Sequence, residues 1–292
     1  MKLMYEDFNL LDLGHIIAIE TLCVLTDIKP VSRFIISENN LEYVKKVCEK
    51  LDLKFNVSPF RFTFKKGDKG DIGVSRIGKN NIFQDKGDFF GYVSKSEELI
   101  DKAITVDRVE ITRVDPKTLG RLFGYPECCI KFYIDNSDEA VSKRNDDYTV
   151  ISLRNSKGFR FPFYLNNGKR FFDKALITFF PCSYNCKKAE IMSKKIFKEL
   201  ERISPEYADY IKRSLQSIIL FTDNQGVHEI KGKITDNIIV HTRVVSTIKN
   251  ELHKMLEKGD SIKIIDNATI QILSGNKILK VLNKNCGVMV FG

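Results

Sequence analysis

Two short stretches of this chain set a proline just ahead of cysteines. They are Gly124-Tyr125-Pro126-Glu127-Cys128-Cys129 and Pro181-Cys182-Ser183-Tyr184-Asn185-Cys186. Proline fixes φ and has no N–H, so it breaks a helix from within but suits its first position, where the N–H would lack a partner anyway. Both prolines therefore predict helix starts. Cys128 and Cys129 fall in the first turn of one helix; Cys182 falls in the first turn of another, with Cys186 one turn further on. Unpaired amides and the positive end of the helix dipole favour an anion there. A thiol so placed is drawn toward thiolate, the form that binds metal or attacks a substrate.

The spacing refines this. On a helix, Cys182 and Cys186 share a face, whereas adjacent Cys128 and Cys129 diverge by roughly 100°. The expected arrangement is three thiolates on one centre with a fourth thiol close by. Three-thiolate ligation suits a four-iron cluster with one open iron; four-thiolate ligation suits structural zinc or a closed cluster. Cys182-x3-Cys186 matches half of the usual zinc pattern, and Cys128-Cys129 does not. The reading adopted is an iron–sulfur cluster of the 4Fe-4S type on Cys128, Cys129, Cys182 and Cys186, with zinc as the alternative. A redox dithiol of Cys182 and Cys186, or four thiols buried as small hydrophobes, would use the same residues.

Other candidates carry less. Glu127 reads as a base beside the centre or as a favourable acid in a first turn, and Ser183 and Asn185 read as caps. His228 and His241 fall in a strand-rich region and are not assigned as ligands, and His15 and His253 read as structural. No catalytic residue is assigned, and whether the chain is an enzyme is left open. Cys23 and Cys48 lie on apolar helical stripes and are expected in the core. Cys286 reads as an incidental thiol.

At 292 residues the chain is long enough to bury a core without staples. Its seven cysteines are an odd number, which argues against a disulfide framework. No apolar run approaches ~18 residues, so no membrane span is expected. The opening segment, MKLMYEDFNLLDLGHIIAIE, lacks a cleavage signal, and a cytoplasmic location is expected. The formal charge of +9 permits contact with RNA or another polyanion, although abundant lysine also has a purely compositional origin. Lys169, Arg170, Lys187 and Lys188 are the basic candidates near the cysteines. The mixed aromatic and basic run 159–172 suits either single-stranded nucleic acid or a core strand.

The pattern along the chain predicts a mixed α+β fold in three parts. Residues 1–114 read as α/β, with helices at 9–26 and 38–53, strands at 32–37, 54–64 and 88–94, and a helix at 95–104. The glycine-rich, charged run 65–81 reads as a surface loop and fits no nucleotide-binding motif. Residues 115–217 read as a helical cysteine module, with Asp115 capping a helix that Pro116 opens, a strand at about 175–180, and helices at 187–203 and 205–217. Residues 218–292 read as a small β-rich part with turn signals between short strands and one helix near 243–257.

The motifs Gly-Tyr-Pro-x-Cys-Cys and Pro-Cys-Ser-x-x-Cys, with Phe161-Pro162-Phe163 ahead of the second, resemble those of an uncharacterised prokaryotic, largely archaeal, protein family. The resemblance is sharpest over 119–190. It implies that the four cysteines act as a unit and implies nothing about the metal. Together these readings suggest a metal protein: a cluster-dependent enzyme, RNA-directed or sulfur-transferring, or else a zinc-stapled nucleic-acid-binding module or a thiol-redox protein.

Overall fold

A computed structural model describes residues 13–63, 82–83, 86–110, 115–144 and 146–292. The loop read at 65–81 lies outside them, as do residues 9–12 of the first helix. Helices and strands are interspersed, as expected for an α+β chain.

The described residues form two compact units. One draws on the described residues within Met1–Lys65, Arg76–Asp135 and Ile191–Tyr210; the other draws on those within Asn136–Glu190 and Ile211–Gly292.

In the first unit, α1 (His15–Leu25), β1 (Val31–Ile36), α2 (Leu41–Lys50), β2 (Lys54–Val57), β3 (Arg61–Phe62), β4 (Ile82–Phe83), β5 (Phe89–Ser94), α3 (Glu97–Glu110), α4 (Pro116–Leu122) and α5 (Glu127–Asp135) follow in order. Pro59 ends the strand read at 54–64, splitting it into β2 and β3. The main sheet runs β1-β5-β2, antiparallel throughout. Five successive positions of β5, Phe90 to Ser94, are buried, as expected of a central strand covered on both faces. Helix α3 runs on to Glu110, past the expected end at 104. Its Asp107 is buried and accepts two bonds from Arg33, at 2.5 and 2.6 Å, and one from the Tyr92 hydroxyl. A buried acid held this way is far cheaper than a lone one.

The chain continues through α6 (Ser137–Lys143), α7 (Thr149–Arg154), β6 (Arg160–Phe161), α8 (Lys187–Ile203) and α9 (Pro205–Leu215). Then come β7 (Ile218–Thr222), β8 (Gly226–Thr235), β9 (Ile238–Ser246), α10 (Glu251–Lys258), β10 (Ser261–Asp266), β11 (Thr269–Ser274), β12 (Lys277–Asn283) and β13 (Cys286–Phe291). These strands, with β6, form one sheet in the order β12-β11-β10-β9-β8-β7-β13-β6. All its pairings are antiparallel except β13 with β6. Leu252 and Leu256 of α10 join Ile239, Ile262, Ile270 and Ile272 in the core under one face. That is the expected C-terminal β-rich part.

Two expectations fail here. The helix read at 243–257 starts only at Glu251, where Asn250 accepts a bond from the His253 amide at 3.0 Å. Residues 243–246 belong instead to β9, because β-branched Val244 and Val245 pair across to Ile230 and Glu229. The strand read at about 175–180 is absent. Ala175, Leu176, Ile177 and Phe179 are buried, but as irregular chain. An apolar run alone cannot tell a strand from a buried connection. The aromatic run at 159–172 is likewise mostly 3-10 turns, with only the short β6 as strand. Among the described residues no helix is long and apolar enough to cross a membrane.

Candidate metal centre

The first cysteine turn is a helix end joined to a helix start. Helix α4 opens as expected, with the Asp115 carboxylate accepting from the Thr118 amide at 3.0 Å and Pro116 at the first position. It closes through two backbone bonds, from the Tyr125 amide to the Gly120 carbonyl at 2.9 Å and from the Gly124 amide to the Arg121 carbonyl at 3.0 Å. This pairing requires a left-handed residue just past the helix, and Gly124 supplies it with φ 68°. A Cβ on Gly124 would meet the Ile28 carbonyl and Pro30 Cδ, each at 3.3 Å. Gly120 lies so close to Ile130 of α5 that a Cβ there would come within 2.8 Å. The two helices are thereby packed hard together. The Pro126 carbonyl accepts from the amides of Cys129 and Ile130, at 2.8 and 3.0 Å, and opens α5. Cys128 and Cys129 therefore sit in the first turn of α5, as expected.

The second cysteine turn is built differently. Helix α8 starts at Lys187, not at Pro181. Cys186 stands at its mouth, its carbonyl accepting from the Glu190 amide at 3.0 Å. Cys182 to Asn185 form a non-helical turn, so Cys182 and Cys186 do not share a helical face. Side chains of α7 and the residues just past it hold this turn. Ser152 donates to the Pro181 carbonyl at 2.7 Å, and Asn155 donates to the Cys182 carbonyl at 3.1 Å. The Ser156 hydroxyl accepts from the Tyr184 amide at 2.7 Å. In return, Asn185 accepts from the Lys157 amide at 2.6 Å. The Tyr184 ring, fully buried, anchors the turn from below by donating to Asn167 at 2.8 Å. Ser183 accepts from the Asn185 amide at 3.3 Å within the turn.

The sulfurs of Cys128, Cys129, Cys182 and Cys186 all lie within 4.8 Å of one another and could hold a metal. Cys128 and Cys129, expected to diverge, have their sulfurs 3.9 Å apart. Rotation about Cα–Cβ brings together what the helix spacing separates. Cys129 and Cys186 are buried, and Cys128 and Cys182 are half-buried.

The other three cysteines are buried: Cys23 and Cys48 in the core as expected, and Cys286, read as an incidental thiol, at the start of β13. Burial pushes each thiol of Cys23, Cys48 and Cys286 up to about 12, so they are inert hydrophobes rather than ligands. None of the seven cysteines forms a disulfide.

The remaining candidates are spent elsewhere. Glu127 pairs with Arg121 at 2.5 Å on the surface. His241 donates to the Leu256 carbonyl at 2.7 Å. His228 and His253 flank the Ser246 hydroxyl at 2.6 and 2.8 Å, and His15 bonds Tyr207 at 2.8 Å. Burial drives His228 down to about 4, so it is neutral. Lys169 is buried against Glu229 at 2.9 Å, and Arg170 is nearly buried against Asp147 at 2.6 Å. Lys187 and Lys188 are exposed. Sequence reasoning missed Ser152, Asn155 and Ser156. The available signal was two serines four apart, Ser152 inside α7 and Ser156 just past its end, both of them buried here.

No curated protein and no solved structure matches the chain. The sequence model of one family does match, over residues 92–212, a stretch that holds both cysteine motifs; that family is described as "Protein of unknown function (DUF483)".

Proposed function

We propose that the four cysteines hold one zinc ion as a closed four-thiolate centre whose role is structural. The carrying observation is the spacing of the sulfurs, all within 4.8 Å. A tetrahedral ion with Zn–S bonds of ~2.3 Å sets its sulfurs roughly 3.8 Å apart, and Cys128 and Cys129 already stand at 3.9 Å. A cube-shaped four-iron cluster instead puts a separate iron under each thiolate and splays the sulfurs outward. That needs a spacing well beyond 4.8 Å. Bound zinc would supply no redox chemistry and no open position here; it would fix the two turns that carry its ligands. The hydrogen bonds of Ser152, Asn155 and Ser156 orient the second turn toward the centre before any ion arrives.

One observation favours a second reading, a cluster-dependent enzyme that is RNA-directed or sulfur-transferring. Cys128 and Cys182 are half-buried while the other two thiols are buried, so one side of the centre faces water. An open iron needs such access. In either reading a polyanion partner rests on the formal charge of +9. With Lys169 and Arg170 tied into internal ion pairs, the candidates left to meet it are Lys188 and Lys187, the latter paired on the surface with Glu190 at 3.0 Å.

Anaerobic purification with metal and sulfide analysis decides between the two. A colourless protein with about one zinc per chain supports the closed site. A brown protein absorbing near ~400 nm, with about four irons and as many sulfides, overturns it in favour of the cluster. A metal-free protein that takes up neither overturns both.

A further inference from the structure

Over β7 and β13 the face of the large sheet opposite α10 and the core is buried, with Phe171 against Phe221 and Leu153 against Gly287; over β9 to β12 the same face carries exposed side chains. The register sets two adjacent rows of side chains on it. One row is Lys233, Val240, Ser261, Leu273 and Ile278; the next is Thr235, Ile238, Lys263, Gln271 and Val281. Val240 is 58% exposed, Ile278 50%, Val281 46% and Ile238 39%. Single exposed apolar side chains need no explanation, but here two pairs, one on β9 and one on β12, face the same way with Leu273 of β11 between Val240 and Ile278, and such a grouping marks a contact surface. The charge in these two rows has one sign. They hold Lys233 and Lys263 and no acid; just beyond, Lys231 and Arg243 pair in register, and Lys231 is held by Glu229 at 2.6 Å. Exposed acids lie only at the rim: Asp236 in the turn between β8 and β9, Asp260, which accepts from the Gly275 amide at 2.6 Å, and Asp266, which accepts from the Ala268 amide at 2.7 Å.

We propose that this face docks an acidic, amphipathic segment of a partner protein. The apolar residues of β9, β11 and β12 would take its apolar side, and Lys233, Lys263 and Arg243 would pair with its carboxylates. Charge excludes the nearest rival, since a second copy of this basic chain would set lysine against lysine. Nucleic acid fits less well, because none of the ten positions is aromatic and bases would find nothing to stack on. Strand addition at the open edge is also disfavoured, because β12 carries Lys277 and Lys280, the usual guard of a free edge. The segment therefore lies across the strands rather than beside them. This inference is independent of the metal.

The test uses the full chain and three labelled probes: a synthetic helical peptide of leucine and glutamate at amphipathic spacing, its leucine–lysine twin, and a single-stranded uridine oligonucleotide. Fluorescence anisotropy should show the acidic peptide binding and the basic twin failing. Val240→Glu with Ile278→Glu should weaken the acidic peptide by about tenfold or more, and so should Lys233→Glu with Lys263→Glu. Hydrogen exchange on the unmodified chain should show protection of β9 to β12 on peptide addition, a readout that does not depend on the variants folding. The idea fails if the acidic peptide does not bind, or if the twin binds as well. It fails equally if protection falls elsewhere. Uridine binding that the lysine substitutions abolish would reassign the face to nucleic acid, and self-association that Val240→Glu abolishes would reassign it to a second copy.

Discussion

Between Gly120 and Cys129 the chain positions its thiols with its own backbone. Two capping bonds end α4, a left-handed glycine turns the chain, and the Pro126 carbonyl opens α5. Between Pro181 and Cys186 there is no such frame, and the turn is held by hydroxyl and amide side chains of Ser152, Asn155 and Ser156. The first turn is made from residues within ten positions of each other. The second depends on groups 27 to 29 positions away. Two turns that look alike in sequence, each a proline followed by thiols, are therefore alike in what they present and unlike in what supports them.

The sharpest way to break this comparison is to remove the thiols themselves. If the centre is closed, Cys128→Ala, Cys129→Ala, Cys182→Ala and Cys186→Ala should each lower metal affinity by more than about 100-fold, exceeding what loss of a supporting hydrogen bond costs. Circular dichroism should change little, because the two cores do not depend on the site. Competition against a chromophoric chelator measures the affinities. A single variant that keeps full affinity would reduce the centre to three ligands and revive the open-iron reading.

The difference between the turns also explains what could be read beforehand. Helix α4, its Asp115 cap, the opening of α5 and the exact span of α8 follow from local rules, and proline and glycine write those rules into the sequence. The thiols of Cys23 and Cys48 were legible as core from helical stripes; that of Cys286 was not, because the turn signal before it hides the start of β13. Convergence of Cys128 and Cys129 was not, because side-chain rotation lies outside any spacing argument. Nor was the absence of helix at Cys182, where distant side chains satisfy the backbone groups that a helix would otherwise pair. The strand at Val244 and Val245 was misread because a helical pattern ran into it, and only its pairing with β8 decides between the two.

The supports themselves give the next effects. Ser156→Ala leaves the Tyr184 amide without its acceptor in a buried place, and should cost about 1–3 kcal/mol with an affinity loss of about tenfold for metal. Urea melts of the metal-loaded protein, with chelator competition, check both. A stability loss without any change in affinity would show that the turn does not orient its thiols. Gly124→Ala should cost about 1–2 kcal/mol, the price of a left-handed backbone for a residue with a Cβ. Gly124→Asn should cost less, since asparagine tolerates that conformation better. If alanine and asparagine melt alike, steric contact with Ile28 and Pro30 rather than backbone conformation sets the cost.

The smallest expected effect concerns the thiols outside the centre. Cys23, Cys48 and Cys286 ionise near about 12 when folded, against an ordinary value of 9.0. Their folded values are raised, so their contribution to stability is complete below pH 9.0 and is lost as pH rises toward 12. At pH 8 iodoacetamide should leave all three unmodified in the folded chain. After chelation it should reach Cys128 and Cys182 before Cys129 and Cys186. Peptide mass spectrometry gives the order, and early labelling of Cys48 would show that α2 opens more readily than its burial implies.

The reach of the Ser152, Asn155 and Ser156 bonds has a further consequence, in the entropy of closing chain loops. Joining groups 28 positions apart costs roughly 3 kcal/mol of chain freedom, against roughly 1.5 for a span of six. The first turn recovers its shape whenever its own few residues fold. The second must wait for a long excursion of chain to return, and it is the first of the two to be given up when the protein breathes. Ligand exchange at the centre, whatever ion it holds, would then begin at Cys182 and Cys186, with Cys128 and Cys129 keeping hold of the metal.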